Sequence, residues 1–250
     1  MTSDSSRERA GAEHSGGVDV RGVFVTGTGT GVGKSVLAAT ICAGLAARGE
    51  RIAALKPAVT GLDEEPDEWP PDHELLATAT SAGQSPEEVA PYRFGPPVSP
   101  HYAAELSGAS IGAEALLLAA RDAGEGSDAL VVEGVGGLMV PLAPDYLVRD
   151  LAADLALPVV IVARTGLGTI NHTLLALEAA RSAGLRVAGV VMTPWPDDPK
   201  PIERSNRATV ERLGSARVTG LPPTNPESLA EAASVLPLEE WLSPGRSSLS

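Results

Sequence analysis

In VFVTGTGTGVGKSVLAAT, residues 23–40, an apolar run meets glycines alternating with threonines, then Gly33-Lys34-Ser35, then an alanine-rich helical pattern. Two structures fit such a stretch: a glycine-rich loop that cradles phosphate, or a flexible turn between a strand and a helix. Neither familiar fingerprint matches to the letter. The dinucleotide pattern G-x-G-x-x-G fails: its third glycine falls on Val32 counted from Gly27 and Gly29, and on Lys34 counted from Gly29 and Gly31. The strict phosphate loop G-x-x-x-x-G-K-S/T requires glycine at 28, where this chain has Thr28 and Gly27 stands one residue earlier. The physics of an anion site is nevertheless intact. A buried strand ends at Thr26, small residues let successive N–H groups converge, and Lys34 opens a helix whose dipole favours negative charge. Lys34 is placed to meet the β- and γ-phosphates and the Ser35 hydroxyl to ligate Mg²⁺, so the stretch reads as a nucleoside triphosphate site.

The flanking pattern extends this loop into a fold. A strand is expected over 23–26, a helix over 34–48 closed by Gly49, and a second strand over 51–56. An acidic, proline-rich loop over 61–73 precedes a short helix at about 74–81, and a looser stretch over 91–108 leads to a helix at about 112–123. Strands over 129–133, 158–163 and 187–192 then alternate with helices over 146–154, 171–183 and 202–213, and short pieces at 217–221 and 226–241 close the chain. Strands apolar throughout, each followed by a helix, indicate an α/β fold: a P-loop-type, doubly wound, mostly parallel sheet with helices on both faces. One domain over 21–242 is expected, with ligands at the carboxyl ends of its strands. Residues 1–20, polar and aperiodic, are expected to be a disordered tail, as are 243–250. No repeat of 20 to 50 residues is present, which excludes a solenoid.

Composition narrows the partners. A chain of 250 residues with net charge −13 is long enough for a real core and poorly suited to nucleic acid or an anionic membrane surface. No apolar run approaches the roughly 20 residues of a membrane helix, and the polar N-terminus lacks a secretory apolar core. One cysteine, Cys42, rules out an internal disulfide framework and fits a cytoplasmic location. Lys34, Lys56 and Lys200 are the only lysines against 16 arginines, which is consistent with a need for a compact ammonium at Lys34 and Lys56.

Phosphate-bound Mg²⁺ takes one or two carboxylates besides the hydroxyl. Glu133, in LVVEGVGG, closes an apolar strand on the sheet edge that carries the loop, and metal is a natural partner for a charge there. Asp72, in PPDHELL, is either a second carboxylate or a cap for the following helix. Lys56 ends the apolar strand IAALKP, so its ammonium is expected in the same crevice, with Thr60 and Gly61 offering a hydroxyl and open backbone beyond it. A second lysine facing the γ-phosphate implies a substrate that is itself anionic where it meets ATP. Other chemistries find little support. His14, His73, His101 and His172 lack metal-ligand spacing, Cys42 lies within the alanine-rich helix, and no G-x-S-x-G elbow is present.

Together these segments resemble the dethiobiotin synthetase family over about residues 23–227. TGTGTGVGKS is similar to that family's T-G-T-x-T-x-V-G-K-S/T, including the spacing that breaks the strict motif. KPAVTG resembles K-P-V-x-S/T-G, VSPHYAA resembles S-P-H-x-A-A, and VEGVGGLMVPL resembles V-E-G-A-G-G-x-x-V-P-L. LPVVIVARTGLGTINHTLL resembles L-P-V-I-L-V-x-x-x-x-L-G-x-I-N-H-x-L-L. The resemblance implies an α/β enzyme, generally a homodimer, with Mg²⁺ as cofactor. Its substrates would be 7,8-diaminononanoate, CO₂ and a nucleoside triphosphate.

The resemblance also implies roles. Gly31, Val32, Gly33, Lys34, Ser35 and Val36 would hold phosphates, with Ser35, Asp72 and Glu133 on the metal and Gly134, Val135 and Gly136 beside them. Lys56, with Lys34, would be catalytic, and Thr60 would touch substrate. Gly168, Thr169, Ile170 and Asn171 match the helix start that receives the substrate's distant carboxylate across the dimer interface, a ready anion site. Ser205 and Asn206 align loosely with a substrate-contacting position. Where better-known members carry Asn-Asp, the asparagine reading the adenine edge, this chain has Thr193-Pro194. The preferred base is therefore open, with Pro222, Pro223 and Thr224 expected to wall its pocket.

The reaction so implied is carboxylation and ring closure of 7,8-diaminononanoate to dethiobiotin through a carbamate and a carbamic–phosphoric anhydride. It asks the protein chiefly for positioning and charge neutralisation. Three rivals share the fold. A partitioning-type ATPase switch would carry a signature lysine where Gly29 stands. A cobyrinate-type amidotransferase would need a nucleophilic cysteine beside a histidine, and only Cys42 is available. A small-molecule kinase is compatible with the fold alone.

Overall fold

A computed structural model describes residues 18–65 and 69–243. In chain order it contains β1 (Gly22–Gly27), α1 (Lys34–Ala46), β2 (Ile52–Leu55), β3 (Ala58–Val59), α2 (Asp72–Ala79), α3 (Pro86–Val89), β4 (Tyr92–Arg93) and α4 (Pro100–Leu106). There follow α5 (Ala113–Gly124), β5 (Ala129–Gly137), β6 (Pro141–Ala143), β7 (Tyr146–Leu147), α6 (Val148–Leu155), β8 (Val159–Ala163) and α7 (Thr169–Ser182). The last elements are β9 (Val187–Met192), α8 (Pro201–Gly214), β10 (Val218–Gly220), α9 (Leu229–Ala232) and α10 (Leu238–Leu242).

Six strands form one sheet in the order β10-β9-β8-β1-β5-β2, and every pairing in it is parallel. β2, β8 and β9 are apolar throughout, as a sheet covered on both faces requires. Phe24, Leu130 and Val132 join one core with Leu116, Leu151, Leu177 and Val210 from α5, α6, α7 and α8. Val23, Val25, Ala129 and Val131 turn to the other face and pack with Leu37, Ile41, Leu75, Leu229 and Trp241. The period of two thus divides a single apolar run between two cores. Removing a fully buried ring such as Phe24 typically costs about 3–5 kcal/mol, so this division is strongly specified.

The position of β1 makes the site. It lies between β8 and β5, where the chain's crossovers diverge to either side, and ligands bind at such a switch point. The loop after β1 therefore emerges flanked by the ends of β5 on one side and β8 on the other.

Some boundaries differ from expectation. Val18 and Val20 pack against the core, so ordered chain begins ahead of residue 21. The remainder of the expected tails, residues 1–17 and 244–250, lies outside the described residues, as do positions 66–68 of the acidic loop. The stretch over 91–108 holds structure: β4 pairs with β3, and α4 starts at Pro100. Tyr146 and Leu147, expected to open a helix, instead pair with β6 as a short antiparallel ribbon, and α6 begins at Val148.

Candidate active site

The loop from Thr28 to Gly33 joins β1 to α1, whose N-cap is Gly33 at φ 95°. A side chain is strained at that angle, so glycine lets the loop turn its amides into the helix mouth. Lys34 is buried and its Nζ donates to the Gly29 carbonyl at 3.0 Å. Burial, then the neighbouring Lys56, lower its pKa to about 8.

Glu133 sits within β5 rather than at its end, because the strand continues to Gly137. Its register partner on β1 is Val25, and Val132 pairs with Leu55 on β2, which puts Lys56 at the same level. α2 starts at Asp72, two residues earlier than expected, with Pro71 as N-cap and no side-chain cap bond. The Asp72 carboxylate turns to the site instead. Lys56 Nζ donates to Asp72 Oδ2 at 2.6 Å and to Glu133 Oε1 at 2.5 Å. Ser35 Oγ lies 2.6 Å from Asp72 Oδ1 and 2.9 Å from Glu133 Oε1.

Burial sets the electrostatics. The Lys56 side chain is 3% exposed and that of Glu133 0%, against 40% for Asp72. Burial alone would lower the Lys56 pKa, but the two carboxylates outweigh it and hold the ammonium above its ordinary range. Burial likewise opposes charge on Asp72, yet Lys56 and the Ser35 hydroxyl bring its pKa down to about 2. For Glu133 burial dominates over the attraction of Lys56, and its pKa is raised.

A hard divalent cation fits this cluster. A hydroxyl has one proton to donate, so Ser35 satisfies one of its two carboxylate contacts at a time. Glu133 Oε2 is buried without a hydrogen-bond partner, a costly state that a cation would relieve. Among the described residues no group of three or more His, Cys, Asp or Glu side chains gathers as a metal cage. Two carboxylates and a hydroxyl are the donor set expected for Mg²⁺ shared with phosphate oxygens.

Beside the loop lies a cleft of about 710 Å³ lined by Gly31, Val32, Gly33 and Val36 and, across from them, by Thr193, Pro194, Pro222, Pro223 and Thr224. The expected base wall and the loop thus face one another. Gly134 and Val135 follow Glu133 along β5, and Gly136, at φ 61°, passes close to Thr30 of the loop. Thr60 is half-buried just past β3. Gly168, Thr169, Ile170 and Asn171 form the start of α7, outside the cleft lining, with Gly168 as N-cap at φ 90°. α7 thus opens two residues earlier than expected, at Thr169.

Further side chains frame the site. Trp69 and Arg164 line the cleft. Arg207 lies over the ring of Trp195, 5.3 Å from its centroid, and Trp195 follows Pro194 of the cleft lining. Asn206 is buried, and its Nδ2 donates to the carbonyls of Thr165 at 2.9 Å and Gly166 at 3.1 Å, so it orders the turn before α7. Cys42 is fully buried, and burial pushes its thiol pKa well up, the opposite of what a nucleophile needs.

Residues 21–232 match the family model described as an AAA domain. The chain is 41% identical over 216 residues to the ATP-dependent dethiobiotin synthetase BioD of Anaeromyxobacter dehalogenans strain 2CP-1, covering 86% of this chain and 96% of that one. It is 37% identical over 205 residues to the protein of the same name from Bacillus subtilis strain 168, covering 82% and 87%. Among solved structures, a ParA family ATPase from Chlorobium tepidum superposes with TM-score 0.51 at 12% identity, over 88% of this chain and 92% of that one. Apo McdA from Cyanthece superposes with TM-score 0.52 at 13% identity, over 89% and 96%. At such identities these two establish the fold alone.

Proposed function

The chain belongs to the ATP-dependent dethiobiotin synthetases, and we infer from that membership how its own residues carry the reaction. It is a ligase of biotin biosynthesis. It uses ATP to carboxylate 7,8-diaminononanoate and close the ureido ring of dethiobiotin. The observation that carries the assignment of roles is the cluster of Ser35, Lys56, Asp72 and Glu133 at the mouth of the phosphate loop.

One amine of the substrate takes up CO₂ and becomes a carbamate. A carbamate oxygen attacks the γ-phosphorus, ADP leaves, and a carbamic–phosphoric anhydride forms. The second amine then attacks the anhydride carbonyl, expels phosphate and closes the ring. Lys34 and the loop amides hold the phosphates, and Lys56 faces the carbamate, with Thr60 beside the substrate. The free amine is nucleophilic enough that no strong general base is required.

Ser35, Asp72 and Glu133 are the residues that would hold Mg²⁺, which supplies neutralisation of the β- and γ-phosphate charge when bound. Glu133→Gln keeps the shape and removes one anionic ligand. It is expected to raise the Mg²⁺ concentration for half-maximal activity by about tenfold, on the scale of a lost metal-site contact. An unchanged Mg²⁺ dependence would remove Glu133 from the metal site.

We also propose a homodimer in which Gly168, Thr169, Ile170 and Asn171 of one chain receive the carboxylate tail of substrate held by the other. The first turn of α7 contains no acidic residue, and its dipole suits an anion. Leu167, 95% exposed in the turn before α7, and Leu175, 61% exposed on α7 itself, offer apolar surface for a partner to cover. Light scattering at assay concentration should return twice the chain mass; a fully active monomer would contradict the shared site. A cytoplasmic location is proposed on the family membership and the single cysteine.

The rival readings lose support on particular residues. Gly29 stands where a partitioning-type switch carries its signature lysine, and a net charge of −13 disfavours DNA. The buried Cys42 leaves a cobyrinate-type glutaminase without a nucleophile.

A further inference from the structure

Arg164 follows β8, the strand on the opposite side of β1 from Glu133. Its Nη2 donates to the carbonyl of Gly31 in the phosphate loop at 2.8 Å, across 133 positions of sequence. Gly31 holds φ 66°, a backbone conformation that favours glycine. A trans peptide is planar, and its C=O and the following N–H point in opposite directions. A guanidinium that holds the Gly31 carbonyl therefore also fixes the Val32 amide, which points the opposite way from the same peptide plane.

The base of Arg164 is equally fixed. Its own carbonyl accepts from Thr169 Oγ1 at 2.6 Å, and the next two carbonyls accept from the buried Asn206 amide. The preceding carbonyl, of Ala163, accepts from the Thr193 amide at 3.0 Å. Four consecutive carbonyls, from Ala163 to Gly166, are thus held by groups outside the turn. Arg164 is also the one ionisable side chain among the residues lining the 710 Å³ cleft. A rigid turn that delivers a single cation to the carbonyl of a phosphate-loop residue is a positioning device.

We propose that Arg164 is a positioning residue for nucleotide phosphate, acting through the Gly31–Val32 peptide and adding positive charge beside it. The proposal deepens, and rests on, the reading of residues 27–35 as the triphosphate site. Its effect is on phosphate and not on the base. This separates it from a residue that merely lines the pocket.

Calorimetric titration of Arg164→Ala, Arg164→Lys and the unmodified protein tests this, using Mg²⁺ with ATP and, separately, inorganic tripolyphosphate. Arg164→Ala is expected to weaken both ligands by about tenfold, as fits the loss of one charge-assisted hydrogen bond. Arg164→Lys, which keeps a cationic donor, should return both to within about threefold, and neither variant should shift the melting temperature of the free protein by more than a few degrees. Unchanged ATP binding in Arg164→Ala would overturn the proposal. So would a loss confined to ATP that spares tripolyphosphate, or an Arg164→Lys variant no better than alanine. Failure of the unmodified protein to bind either ligand would instead overturn the reading of the loop itself.

Discussion

Lys56→Ala is expected to lower kcat by roughly 10²–10³ while changing KM for ATP little, as for loss of one electrostatic donor to a transition state. The contact strengthens as charge moves from carbamate to transferring phosphoryl, so it acts on the transition state more than on bound ATP. Lys56→Arg is expected to be slowed comparably. The Lys56 ammonium fills a pocket that is 3% exposed, between two carboxylate oxygens at 2.5 and 2.6 Å, where a planar fork is larger and clamps bidentately. Alanine also leaves Glu133 buried without its counter-charge, a change that typically costs about 3–5 kcal/mol, so a lower melting temperature should accompany Lys56→Ala. Steady-state kinetics on both variants decide the matter. Near-full kcat in Lys56→Arg would reduce this lysine to a generic counter-charge.

Lys34→Ala should abolish measurable turnover and weaken triphosphate binding by at least about 10²-fold, because the group removed is the cation inside the phosphate loop. It should not cost stability. Burial and Lys56 lower the Lys34 pKa from 10.5 to about 8, so between those values the unfolded chain binds more protons than the folded one. Stability tied to Lys34 is therefore lowest below pH 8 and recovers as pH rises towards 10.5, and its removal relieves a burden at neutral pH. Phosphate favours the ammonium, so the unmodified protein should take up a proton on binding triphosphate above about pH 8, and its affinity should fall as pH rises further. Calorimetry in buffers of different ionisation enthalpy reads that uptake. Unaltered affinity in Lys34→Ala would contradict the assignment of the loop.

The phosphate loop, Lys56 and Glu133 are legible in the sequence because each lies at or near the carboxyl end of an apolar strand, where chain order and sheet topology already point to one edge. Asp72 is legible only as two alternatives, since an acid before a helical run caps as readily as it binds metal; its carboxylate faces Ser35 and Lys56, with no cap bond. Arg164 carries no local signal. It follows a strand as many residues do, and only the placement of β8 beside β1 brings it to Gly31. Asn206 is singled out in the sequence only by a loose alignment with a substrate-contacting position, and its burial against the turn before α7 comes from tertiary packing that no local pattern carries. The ribbon at Tyr146 and Leu147 looks helical in sequence because its two residues run straight into a helical pattern, and the pairing that defines it lies across a turn.

The chemistry assigned to this cleft is ATP-dependent ureido ring closure. Its most direct measurement is incubation of the protein with 7,8-diaminononanoate, bicarbonate, Mg²⁺ and each nucleoside triphosphate in turn, with the product identified by mass. A product heavier than the diamine by CO₂ less one water, formed only with nucleotide and accompanied by one phosphate per ring closed, is the predicted result. Phosphate release that is independent of the diamine, with no such product under any nucleotide, would contradict it.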